Sequence, residues 1–185
     1  DQVVVKGYDA TVGYSKLAFN PAKEDGETTQ ILRSAGAVPY VKTNVPITMM
    51  AIEGYNGLFG RTTNWHNPNY APGGSSQGEG ALLASGGSRI GIGSDIGGSV
   101  RVPAAWSGVC SLKLSTFRWP LDGSVGGYEG VQPTQSPMAK TLPDLSYFIK
   151  AIMGIEPWKV DFRLMPLPWR EVELPSKPKV CLLYT

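Results

Sequence analysis

The sequence predicts an α/β domain, and three observations carry that reading. Helix-length stretches alternate with short apolar runs, and glycine and proline punctuate the boundaries. The 185 residues are 42% hydrophobic, enough for a real core in one domain. Taken in order, residues 25–35 read as a helix, acidic at its start and stopped by Gly36. Residues 37–42 follow as a short strand, where Pro39 points to an edge or a distortion. Residues 46–52 read as a further helix, and Asn56-Gly57 then turns the chain. Residues 78–84 form a helix that opens just after Ser75-Ser76 and ends at Gly86-Gly87. Residues 89–93 and 109–114 are strand-like, with Lys113 on the solvent face of the second. Thr141-Leu142-Pro143-Asp144 resembles a capping box and starts a helix through Met153, stopped by Gly154. Residues 157–178, rich in proline, are a connection, and 179–184 a last apolar strand. The pattern is that of a sheet cut off at both ends, with no repeats and no low-complexity tract.

Chemistry concentrates between Gly73 and Arg101. Gly73-Gly74-Ser75-Ser76-Gln77-Gly78-Glu79 and Gly93-Ser94-Asp95-Ile96-Gly97-Gly98-Ser99-Val100-Arg101 are two serine sites embedded in glycine. Glycine at this density marks places where the chain turns unusually or exposes its amides. A hydroxyl nucleophile beside exposed N–H donors is what acyl transfer needs. One such loop is ordinarily just a turn; two of them, the second bracketed by Asp95 and Arg101, point to a site. The N-terminal amides of the 78–84 helix would face it, where negative charge develops favourably.

These motifs resemble the amidase signature family, serine hydrolases that cleave carboxamides. The resemblance rests on Pro72–Ser76 with Glu79-Gly80-Ala81-Leu82, on Ser94–Ala104, and on Cys110-Ser111-Leu112-Lys113. Upstream, Gly36–Pro46 and Phe59-Gly60-Arg61-Thr62 read the same way. The wording is similar to fungal acetamidases, general amidases and fatty acid amide hydrolases. It implies a mixed central sheet covered by helices, truncated at both ends, with residues 1–185 forming the N-terminal and central portion of a single amidase domain. It also implies a Ser–Ser–Lys triad. Ser99 matches the nucleophile, and Ser75, which the family holds after a cis peptide bond, matches the serine that relays the proton. The backbone N–H groups of Ile96, Gly97, Gly98 and Ser99 match the oxyanion hole. Asp95, Arg101 and Ser76 match supporting positions, the first two as loop braces. The family's lysine would fall immediately before Asp1; neither Lys6 nor Lys42 matches it. A lysine serves as base near neutral pH only when burial or a nearby cation lowers its pKa. The expectation is therefore an amide hydrolase whose C-terminal half and acyl pocket lie outside these residues, and which is inactive in this form.

Composition sets bounds on partners. A net charge of +2 with 17% charged residues provides no basic stripe for nucleic acid. Cys110 and Cys181 sit in apolar runs and read as buried thiols, and with one histidine no metal site is visible. No cofactor is implied, and the expected partner is a small amide. No apolar run is long enough for a membrane span. A cytoplasmic location is expected, and a homodimer is left open.

Gly74-Ser75-Ser76-Gln77-Gly78 fits the G-x-S-x-G elbow of α/β-hydrolases, but that fold needs its histidine downstream, and His66 lies upstream. His66, Asp95 and Ser99 imitate a chymotrypsin-like order without anything else of that fold. Gly91–Gly97 imitates a dinucleotide loop, yet Pro103 interrupts the helix that should follow. Three positions depart from the family wording: Gln77 for glycine, Ser94 for threonine and Leu114 for proline. Gln77 either crowds the first serine loop or adds a donor near the leaving group. Two other functional classes remain: an amidotransferase amidase subunit that supplies ammonia to a partner, and a non-catalytic truncated member.

Overall fold

A computed structural model describes residues 2–121, 130–173 and 175–177. Among these residues, four helices, α1 (Glu27–Ser34), α2 (Gln77–Ser85), α3 (Arg101–Ser107) and α4 (Leu142–Gly154), accompany five short strands. A small hairpin joins β1 (Tyr55–Asn56) to β2 (Gly60–Arg61). The main sheet has the order β3-β5-β4, from β3 (Ile90–Asp95), β4 (Cys110–Ser111) and β5 (Thr134–Ala139), and its described pairings are antiparallel.

Side-chain alternation along β3 sets the layers. Ile90 and Ile92 pack against a cluster of Ile31, Leu32, Trp119, Phe148, Ile152 and Met153, contributed largely by α1 and α4. Trp119 stacks on Phe148 with ring centroids 5.9 Å apart. The opposite face presents Gly91 and Gly93, and α2 comes down on them. A Cβ at Gly91 would lie 1.8 Å from Glu79 Oε1, and one at Gly93 would lie 2.4 Å from Ser76 Oγ. Leu83, Val100, Ala104 and Met138 fill the second core between α2, α3 and the sheet.

The helices with strong local signals fall where the sequence places them. The Thr141 hydroxyl accepts from the Asp144 N–H and caps α4, and Gly86 ends α2 in the left-handed region. Elsewhere the structure corrects the reading. Residues 37–42 have no regular secondary structure and join no ladder among the described residues. Residues 46–52 hold only a one-turn 3₁₀ helix, Ile47–Met49, with Thr48 at φ 61°. The 109–114 strand shrinks to β4, which leaves Lys113 outside it, its ammonium on the Leu114 carbonyl. Pro103 does not interrupt a helix. It sits in the first turn of α3, where its missing N–H has no intrahelical partner to lose. The 157–178 connection contains a 3₁₀ turn, Pro157–Lys159. Cys110 is a half-buried free thiol, not a core one. The 179–184 strand and Cys181 lie outside the described residues.

Candidate active site

The two serine loops meet above the α2 N-terminus. Gly74 packs so tightly that a Cβ there would lie 2.4 Å from the Ala51 carbonyl oxygen. The Gly74–Ser75 peptide bond is cis, and Ser75 is buried. The turn is held from behind by α3, through the Ser107 hydroxyl, which donates to the Pro72 carbonyl at 3.0 Å. Ser76 stitches the loops together. Its N–H donates to the Ser99 carbonyl at 3.0 Å, and its Oγ accepts from the Ser94 N–H at 3.3 Å. Ser75 and Ser99 are thereby brought to neighbouring turns, with Ser99 half-buried.

Asp95 shapes the second loop. Its fully buried carboxylate accepts from the N–H groups of Gly98 (2.7 Å) and Val100 (3.1 Å), and from Arg101 Nε (3.1 Å) and Nη2 (3.0 Å). Burial alone would raise its pKa. The hydrogen bonds from Arg101, Gly98 and Val100, with the guanidinium charge, outweigh that and hold it below the ordinary carboxylate value. Gly98 takes φ +125° in this wrap, a conformation that strains any residue with a Cβ.

The Gly98 N–H, one of the four amides matched to the oxyanion hole, donates to the Asp95 carboxylate at 2.7 Å. Ile96, Gly97 and Ser99 retain N–H groups without an acceptor among the described residues. The α2 terminus is likewise partly used: the Gly78 N–H donates to the Asn44 carbonyl at 3.0 Å.

Other candidates resolve by their contacts. His66 places Nε2 3.1 Å from the Ser107 carbonyl, and no hydrogen bond links it to Asp95 or Ser99. Gln77 is fully buried against Gly54, whose Cβ position would be 2.8 Å from Gln77 Cδ, and its amide has no protein partner. It therefore packs under the 51–54 segment. Lys42 is the lysine whose pKa falls, to about 8, through burial partly offset by Asp9. Its Nζ donates to the Asp9 carbonyl at 2.6 Å. No lysine among the described residues hydrogen-bonds to Ser75, Ser76 or Ser99.

Sequence reasoning passed over Glu79. It is buried on the Gly91 face, with Thr43 Oγ1 donating to Oε2 at 3.0 Å. Desolvation raises its pKa to about 7, against the lowering effect of that bond. The glycines at 91 and 93 were the available signal, since they mark where something must approach the sheet closely. A 350 Å³ cavity borders Glu79, Lys42 and Thr43, but neither Ser75 nor Ser99 lines it.

A helix-flanked sheet with two glycine-rich serine loops joined at a helix N-terminus is the architecture of the amidase signature enzymes. The chain belongs to the amidase family, whose model matches residues 1–182. It is 44% identical over 176 residues to an acetamidase of Emericella nidulans, covering 94% of this chain and 32% of the relative. It is 43% identical over 177 residues to fatty-acid amide hydrolase 1 of Sus scrofa, covering 94% of this chain and 31% of that protein. A solved fatty acid amide hydrolase superposes with a TM-score of 0.90 at 41% identity, over 95% of this chain and 32% of its own. The chain thus spans about a third of the length of these relatives. No helix among the described residues is long and apolar enough to cross a membrane.

Proposed function

We propose that the polypeptide containing these residues hydrolyses a carboxamide to a carboxylate and ammonia or an amine. Residues 1–185 would form the N-terminal and central portion of one amidase domain. The observation that carries the reading is the Ser76 N–H to Ser99 carbonyl bond, which sets the two serine turns side by side. Ser99 acts as nucleophile. Ser75 takes its proton and passes its own to a neutral lysine supplied from just before Asp1. As Ser99 Oγ bonds to the amide carbon, the carbonyl oxygen becomes an oxyanion facing the amides of Ile96, Gly97 and Ser99. Ser75 then returns a proton to the leaving nitrogen, the C–N bond breaks, and water cleaves the resulting ester. Asp95, braced by Arg101, keeps the loop in its donor-presenting shape. The serines line no part of the 350 Å³ cavity, which fits an acyl pocket built by residues beyond this stretch. Without lysine and pocket, residues 1–185 alone are inactive.

The test uses the complete polypeptide, a fluorophosphonate probe and mass spectrometry. Labelling at Ser99 that collapses in variants of Ser75 or of the upstream lysine is expected. Near-normal turnover of Ser99→Ala would overturn the assignment. The acetamidase and fatty-acid amide hydrolase relatives bracket the substrate between small aliphatic and long-chain amides. Co-purification with a transferase subunit would point instead to an ammonia-supplying role.

A further inference from the structure

α3 starts two residues after Ser99, and its far end returns to the turn that carries Ser75. Its seven residues make a strut about 10 Å long. At the near end the Val102 N–H donates to the Gly98 carbonyl (2.7 Å) and the Ala104 N–H to the Val100 carbonyl (3.0 Å), so the helix grows directly out of the Ser99 loop. Pro103 packs on Gly73, where a Cβ would lie 2.9 Å from Pro103 Cα. At the far end stands Ser107, the last helical residue. It is fully buried, and its hydroxyl donates to the Pro72 carbonyl at 3.0 Å.

A serine within a helix ordinarily turns its hydroxyl back onto a carbonyl of the preceding turn. Ser107 reaches across to another segment instead. α2 closes the place from the other side, since a Cβ at Gly80 would lie 3.1 Å from Ser107 Oγ. A neighbouring side chain makes the same connection. Asn64 Nδ2 donates to the Trp106 carbonyl at 2.9 Å and reaches the Ala71 carbonyl at 3.4 Å. The carbonyls of Ala71 and Pro72, the last before the glycine pair, are thus both fastened to the end of α3.

These ties close a frame. From Ser99 the chain runs through α3 to Ser107, crosses to Pro72, passes Gly73 and Gly74 to Ser75, and returns from the Ser76 N–H to Ser99. Ser75 is therefore held downstream by Ser76 and upstream by Ser107. The Ser99 loop has its own brace in Asp95 and Arg101. Loss of the Ser107 bond falls on Ser75 and not on that loop, and it strips a buried carbonyl of its donor.

We infer that Ser107 is a positioning residue, whose hydroxyl fixes the Ser75 hydroxyl in line between Ser99 and the leaving nitrogen. The inference rests on the proposed function and adds a residue to it. An amide nitrogen needs a proton before the C–N bond breaks, whereas nitrophenolate leaves an ester without one. A displaced Ser75 therefore harms amide cleavage more than cleavage of an activated ester.

Hydrolysis of hexanamide and of p-nitrophenyl hexanoate by the complete polypeptide tests this. Ser107→Ala should lower kcat for the amide about tenfold, leave KM within about twofold, and cost the ester much less. The amide-to-ester ratio, taken on one sample, does not depend on the folded fraction, so partial unfolding cannot imitate the effect. Ser75→Ala should lower the same ratio, and Ser107→Ala added to it should lower it no further, because the second residue acts through the first. Equal losses on both substrates, an unchanged ratio, or a further fall in the double variant overturns the inference and leaves the proposed function standing. A wild-type polypeptide inert to both substrates, or Ser99→Ala as active as wild type, overturns that function and this inference with it.

Discussion

The Ser76 N–H and the Ser99 carbonyl lie 3.0 Å apart, and this bond, with the one from the Ser94 N–H to Ser76 Oγ, joins the two glycine-rich loops. It makes the position of Ser99 depend on the conformation of the turn that carries Ser75. Changes remote from either hydroxyl should therefore register at both.

Asp95→Asn removes the charge from a buried carboxyl that serves Gly98, Val100 and Arg101. A loss of about 1–3 kcal/mol at pH 7 is expected by urea unfolding. Asp95 has its pKa lowered in the fold, so its contribution is fully present above the ordinary value near 3.9 and disappears as pH falls through the folded value. The gap between wild type and variant should therefore narrow in acid. A gap independent of pH would show that the charge has no part in holding the loop.

Glu79 has the opposite sign. Its pKa rises from 4.5 to about 7, so the unfolded chain ionises first and stability falls as pH climbs through that window. Glu79→Gln keeps an acceptor for Thr43 and cannot ionise. Its melting temperature relative to wild type should increase between pH 4.5 and 7.5. A flat difference would mean that the carboxylate is compensated in the fold.

Gly74→Ala drives a Cβ to 2.4 Å from the Ala51 carbonyl and 2.8 Å from that of Ile52. The 51–52 segment must move off the serine turn, at a cost of about 1–3 kcal/mol and, on the proposed function, with a marked fall in amide turnover by the complete polypeptide. Gly57→Ala, which meets nothing within 4 Å, is the control and should leave both unchanged.

Gln77→Met replaces a buried amide lacking a protein partner by an apolar chain of similar length. Removing both polar atoms should raise stability by about 1 kcal/mol, read as an upward shift in melting temperature. A fall would show that the amide is bonded through solvent.

Much of this was legible locally. Thr141 with Asp144, and Gly86 after an apolar run, place α4 and α2 because caps act within one turn. The serine loops were legible because their residue types serve the chemistry directly. β5 was not: Pro133 and Pro137 argue against a central strand. Yet Pro137 stands opposite Ile92 in the ladder and its carbonyl accepts from the Leu112 N–H, so its nitrogen faces the β4 side just past the last β4–β5 pair, where the lost N–H costs one bond at the end of a short strand. Residues 37–42 have the composition of a strand and join no ladder among the described residues, since pairing belongs to the neighbour and not to the segment.

By itself, then, the sequence determined the α/β class, the helices with caps, the family and the two serine turns, all properties of short stretches. Only the tertiary structure decided that Ser76 joins the loops, that Asp95 claims the Gly98 amide, and that Gly91 makes room for Glu79. Two of these depend on chain curvature or on groups far apart in sequence meeting at close range. Even the third, Asp95 to Gly98, requires a backbone direction at Gly98 that no side-chain pattern encodes.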